Sequence, residues 1–304
     1  NLGTRFKADK TLRLFRSLSK EEQQTCNFDI TQLNWRHYIQ NVHIPGVKKY
    51  ILKTEGTGAL EVEDDAAADI TINQLLGRTA SRCPQKTALQ IKRNNQWHRY
   101  TYREFYAATQ RIGRTFLELG LRKGDRVVLY SENQPEWAIA FLAATAAGLV
   151  VVPLDPQTWH KEVWATTAFT EARALLVSER CFDRLEAEGF TTTKTLPMLL
   201  NINNNCGLFA DGKVPGTTQA QQARQGASLP ATMPGDAVSI IFTTGTTVDP
   251  KGATHTHRSF ISNLLGVNHY LPITPSEQML SVLPLYHALE FTCGLLLPIY
   301  GGGT

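Results

Sequence analysis

The sequence predicts an α/β fold: parallel-rich sheets with flanking helices, preceded by a small, mainly helical segment. Three observations carry the prediction. From Thr71 onward, amphipathic stretches with helical spacing alternate with short, β-branched apolar runs, the pattern of a parallel sheet covered by helices. The uncharged stretch Trp137 to Leu154 changes character at Gly148, from helix formers to Val-Val-Val-Pro. The first 55 residues are polar and aromatic with few glycines, unlike the rest of the chain.

The elements follow in order. ITINQLLGRTASRCP reads as an amphipathic helix ending before Pro84. TALQIK and HRYTY read as paired strands joined by the polar turn RNNQ. Tyr102 to Leu119 places Phe105, Ala108, Ile112, Phe116 and Leu119 at helical spacing, with Gly120 as the stop. RVVLYS is a buried strand, PEWAIAFLAATAAG a helix and LVVVPLD a strand. A helix from Trp159 to Thr170 and the strand Ala174 to Ser178 come next. Residues 201–235, rich in Asn, Gly, Gln and Thr, read as a long loop. Ala237 to Ile241 is a further strand. Three domains are expected: residues 1–55, an acidic linker over 56–70, and 71–304.

Composition narrows the function classes. A net charge of +4 on 304 residues, with scattered basic groups, implies no nucleic-acid partner. Cys26, Cys83, Cys181, Cys206 and Cys293 lie far apart, form no CxxC pair and are odd in number. Reduced thiols in a cytoplasmic protein fit this better than disulfides. The Trp137 to Leu154 run is alanine-rich and splits into helix and strand, so no transmembrane segment is expected, with peripheral membrane contact left open. The chain begins with Asn1 rather than Met and stops at GGGT, which reads as cut at both ends.

FTTGTTVDPKG, from Phe242 to Gly252, is the stretch richest in chemistry. Gly245 lets the backbone come close to an anion. Thr243, Thr244, Thr246 and Thr247 supply hydroxyls, Lys251 supplies positive charge and Pro250 stiffens the exit. The spacing fits neither the Walker nor the Rossmann pattern. On composition alone a phosphate loop and a plain Thr-rich turn both stay open. His287, taken by itself in an apolar run, reads as a core histidine, and a lone Lys251 as a solvated one. Tyr286, Phe291 and Trp137 read as core.

TTGTTVDPKG resembles the signature loop of the adenylate-forming (AMP-binding) superfamily, T-[ST]-G-[ST]-T-G-x-P-K-G, at every position but Val248. THTHRSF, LPLYHALEFTCGLLLPIYGGGT, YTYREF, KGDRVVLYSENQPEW and GLVVVPLDP look like further family landmarks in the family's order. The resemblance covers residues 71–304 and is nearest the long-chain fatty acid–CoA ligase branch. It implies the N-terminal part of the family's large domain. It also implies ATP-dependent activation of a fatty acid to an acyl-adenylate, then transfer to coenzyme A. Thr243, Thr244, Gly245, Thr246 and Thr247 would wrap the β- and γ-phosphates, with Lys251 adding charge. Thr243 would lie near Mg²⁺, and His287 beside the acyl carboxylate and α-phosphate.

Two departures bear on this expectation. Val248 stands where the family has glycine, and a positive φ there would cost about 1–3 kcal/mol. The family's later motifs are not seen before Thr304, so the resemblance implies that a C-terminal half is required and that this chain is inactive alone. Two other readings stay open: a fatty acyl-AMP ligase loading a carrier protein, and a degenerate domain that binds an acyl chain or partner without catalysis. Leu18 to Lys53 resembles the C-terminal tail of fatty acyl-CoA reductases, through Leu18-Ser19, Phe28-Asp29, Trp35, Tyr38 and Gly46 to Lys53. This implies a parent in which a ligase is fused to a reductase.

Overall fold

A computed structural model describes residues 69–189, 198–204, 207–208, 227–243 and 251–304. The reductase-like segment, nearly all of the acidic linker, most of the 201–235 loop and residues 244–250 lie outside the described residues.

Helix α1 (Ile72–Arg82) opens on a capping box. The Thr71 side chain accepts from the Gln74 backbone N–H, and the Gln74 side chain returns to the Thr71 N–H. Strands β1 (Thr87–Arg93) and β2 (Gln96–Thr101) form an antiparallel hairpin. Its turn residues Asn94 and Asn95 both have positive φ, 49° and 62°, the backbone that a two-residue hairpin needs and that asparagine tolerates. A second capping box, Thr101 with Glu104, starts α2 (Tyr102–Glu118).

The main sheet holds β3 (Arg126–Tyr130), β4 (Val150–Leu154), β5 (Ala174–Val177), β6 (Met198–Asn201), β7 (Gly207–Leu208), β8 (Ala237–Thr243) and β9 (Lys251–Thr256). Their spatial order is β7-β6-β5-β3-β4-β8-β9. The five inner strands run parallel, while β7 and β9 are antiparallel edges. The sheet is therefore parallel-rich, as the sequence pattern indicates, and mixed only at its margins. Helices α3 (Pro135–Ala146), α4 (His160–Phe169) and α5 (Glu179–Ala187) link β3, β4, β5 and β6 in turn.

Alternation along β3 and β4 divides the core between the sheet's two faces. Val127, Leu129 and Val151 pack with α1, α2, α3 and α6 (His257–Tyr270). Val128, Tyr130, Val152 and Leu154 pack with Val163 of α4 and Cys181 and Leu185 of α5. Helix α3 is buried at every position but Glu136, which explains why its sequence shows no polar face. Gly113 lets α2 approach it closely: a Cβ there would stand 2.9 Å from the Ala143 carbonyl oxygen. Gly148, at φ 73°, ends α3 and turns the chain into β4.

The last stretch runs Ala288–Glu290, a π-helical Phe291–Leu296 and Leu297–Gly301. Thr304 then lies against residues 277–279: its N–H donates to the Glu277 carbonyl, and its own carbonyl accepts from the Met279 N–H.

Candidate active site

Strand β8 runs parallel to β4, so its final residue, Thr243, lies at the carboxyl end of the sheet. Open α/β sheets bind ligands at that end. Strand β9 returns antiparallel, with Lys251 directly opposite Thr243 and Gly252 opposite Phe242. Residues 244–250 therefore connect two adjacent strand ends. Thr244, Gly245, Thr246, Thr247 and Val248 fall in that connection, outside the described residues. Lys251 is exposed at the first position of a strand, whereas the sequence reads as loop there. Gly252 is needed for this pairing: a Cβ would stand 2.7 Å from Ile240 Cγ2 and 3.3 Å from the Phe242 ring.

Next to this hairpin lies a cavity of about 540 Å³, lined by Ile241, Phe242, Ala253 and His255 of the hairpin and by Leu283, Pro284 and residues 287–290. His287 is exposed on its wall, so the core reading of this residue fails. It caps Ala288–Glu290, donates its backbone N–H to the Pro284 carbonyl at 3.0 Å, and tilts against Tyr286 with ring centroids 4.3 Å apart. The structure thus brings His287 to the same sheet region as Thr243 and Lys251.

Two loops at the carboxyl ends of β3 and β4 hold the His287 segment. Asn133, after β3, donates to the Leu283 carbonyl at 2.7 Å and accepts from the Leu285 N–H at 3.0 Å. It also donates to Ser281 Oγ at 3.1 Å. Asp155, after β4, accepts from the Tyr286 hydroxyl at 2.8 Å. Burial, together with the hydrogen bond to Asp155, pushes the Tyr286 phenol up to about 12. Asn133 and Asp155 sit inside two of the stretches that carry the family resemblance, SENQPEW and PLDP. Their role needs the contact partner and is not readable from spacing.

His255 and His257 differ from His287. His255 stacks on Phe260 at 5.0 Å, and burial lowers its pKa. His257 is 1% exposed and its Nδ1 accepts from the Ile72 N–H at 3.2 Å. Burial brings its pKa down to about 4, so it is a neutral internal pin between α6 and α1.

The model of the AMP-binding enzyme family matches residues 76–304. The chain belongs to this family. A second model, of male sterility protein, matches residues 3–54, the segment that resembles a reductase tail. A relative within the family's range is the medium-chain acyl-CoA ligase ACSF2, mitochondrial, of Rattus norvegicus. It is 26% identical over 79% of this chain and 43% of its own length. The chain thus spans less than half of that relative. Among solved structures, the inhibitor-bound N-terminal domain of FACL13 from Mycobacterium tuberculosis shares the fold. Its TM-score is 0.58 at 24% identity, over 77% of this chain and 56% of that one. The nonribosomal peptide synthetase FmoA3 in its AMPPNP-bound form does so too, with a TM-score of 0.61 at 23% identity, over 79% and 23%.

Among the described residues, Thr243 and Lys251 are paired at the strand ends; a hydroxyl and a lysine are groups that can meet a nucleotide's phosphates. Among the described residues no group of three or more His, Cys, Asp or Glu is placed to hold a metal. The described side chains therefore offer no cage of their own for Mg²⁺, an ion that is commonly held by substrate phosphates and one or two protein oxygens.

Proposed function

We propose that this chain is part of a fatty acid–CoA ligase that activates a carboxylate with ATP and passes the acyl group to coenzyme A. The carrying observation is the exposure of His287 on the cavity wall beside the β8–β9 hairpin, at the end of the sheet where Thr243 and Lys251 face each other. In this reading Lys251 and the 243–247 segment hold the β- and γ-phosphates, with Thr243 beside any phosphate-bound Mg²⁺. His287 positions the fatty acid carboxylate against the α-phosphate. Mg²⁺, when bound, offsets phosphate charge. Two anions must approach, so the chain's contribution is to place donors and positive charge around them. Asn133 and Asp155 act through the segment they hold.

The AMPPNP-bound state of one structural neighbour supports ATP as the nucleotide. The sequence resemblance favours the long-chain branch, while the rat relative is named a medium-chain ligase. Because the chain spans 43% of that relative, activity is expected to need the remainder of the family's domain. The match at residues 3–54 supports fusion to a fatty acyl-CoA reductase. Among the described residues no helix is long and apolar enough to cross a membrane. The odd number and wide spacing of the five cysteines in the sequence favour the cytoplasm as the working location, while the rat relative is named mitochondrial.

Fatty-acid-dependent ATP–pyrophosphate exchange tests the reading, on this chain and on the same chain joined to a family C-terminal half. Exchange in the longer protein that drops about 100-fold in His287→Ala, the scale of a lost charge-stabilising contact, is the expected result. Exchange indifferent to His287 would overturn its assignment. Exchange that ends in transfer to a carrier protein but never to coenzyme A would favour the acyl-AMP ligase.

A further inference from the structure

A second cavity, of about 390 Å³, has Leu89, Ile91, Ala138, Leu295 and Ile299 on its apolar wall and the exposed Trp97 and Leu280 elsewhere in its lining. The two cavities meet at Glu290. Glu290 lines the cavity that holds His287, and its Oε1 accepts from Ser281 Oγ at 2.8 Å. Ser281 and Gly294 both line the second cavity. A Cβ built at Gly294 would fall within the Glu290 carboxylate. Glu290 therefore fills the volume that a side chain at position 294 would take. It is only 6% exposed, and a buried carboxylate between apolar surfaces costs free energy that a leucine of similar size would not.

Resting on the ligase reading, we propose that Glu290 is the stop that sets acyl chain length. A fatty acid whose carboxylate lies at His287 runs its chain toward Glu290. To go further, the chain must push a hydrogen-bonded carboxylate out of the Gly294 recess and then lie against it. Both steps oppose passage from the His287 cavity into the apolar space beyond Glu290. Removing the carboxylate joins the two cavities, and further methylenes become buried. Each methylene buried contributes about 0.8 kcal/mol, or about fourfold in affinity.

The test is binding of saturated fatty acids from six to sixteen carbons to this chain, read by displacement of a fluorescent fatty acid. In the wild type, affinity rises with each carbon and then levels off. In Glu290→Ala, and in Glu290→Ser as a second truncation, the plateau moves to longer acids. Three more buried methylenes would raise the long-to-short affinity ratio about 60-fold. Glu290→Gln keeps the volume and a partner for Ser281, so its plateau stays at the wild-type length. Circular dichroism melts confirm that each variant is folded. A plateau at the same carbon number in all four proteins overturns the proposal and leaves the ligase reading standing, as does a plateau that Glu290→Gln moves as far as Glu290→Ala. Failure of every acid to bind overturns both.

Discussion

Two apolar stretches of this chain meet opposite fates. Trp137 to Leu154 forms α3 and β4, and nearly every side chain in it is buried. Met279 to Leu289 is also apolar, yet Leu280 is 86% exposed, Val282 72% and Leu289 64%. The first is enclosed by α1, α2 and the sheet. The second is held by a few polar contacts, from Asn133 and Asp155; it carries His287 and leads directly into Glu290. Apolarity alone does not separate core from site. Polar groups set inside an apolar run, at residues whose backbone is held by side chains from other loops, mark the part kept open for chemistry.

Four substitutions distinguish the two regions, with effects that decrease in order. Leu142→Ala in α3 removes a fully buried side chain and is expected to cost about 3 kcal/mol, read as a lower urea midpoint. A loss below about 1 kcal/mol would mean that the α3 core repacks freely. The His257 imidazole gives an effect of similar size that depends on pH. Its folded pKa is about 4, below the usual 6.5, so the unfolded chain takes up the proton first. Its contribution is fully present above about pH 6.5 and is lost as pH falls toward 4, by about 3 kcal/mol in all. Stability measured between pH 7 and 4 should fall less steeply in His257→Gln.

Asn133→Ala tests the second region. It removes the donors to Leu283 and Ser281 and the acceptor for Leu285, and should cost about 1–2 kcal/mol. Hydrogen exchange should quicken around Leu283 to His287 rather than in α3. Uniform quickening would show that this segment is part of the core after all. The smallest effect belongs to Leu280→Lys. At a position this exposed, stability should stay within about 0.5 kcal/mol of the wild type.

Much of the fold was legible in the sequence. The hairpin, helices α1 and α2, and the β3–α3–β4 unit follow from periodicity, the Gly120 stop and the polar turn 93–96. Others were missed for definite reasons. Helix α5 had its signals, a Ser178 cap with Cys181 and Leu185 at helical spacing, but it is short and mostly charged. Strand β6 is a four-residue apolar run, too brief to tell from loop. Strand β9 is KGATHT; its threonines and histidine show no apolar alternation because it is an edge paired on one side. Its pairing decides that Lys251 faces Thr243. The candidate site was legible as motifs only. The hold of Asn133 on Leu283 and Leu285, and the cavity on which His287 is exposed, depend on residues far apart in the chain.

The exposed residues Leu280 and Val282 have a practical consequence for handling the protein. A short apolar stretch with no helix or strand of its own invites association with its like in a neighbouring molecule. Solutions of this chain should scatter more light as concentration rises, at temperatures where the fold is intact. Leu280→Lys, nearly silent in a melting curve, is the substitution that should clear them.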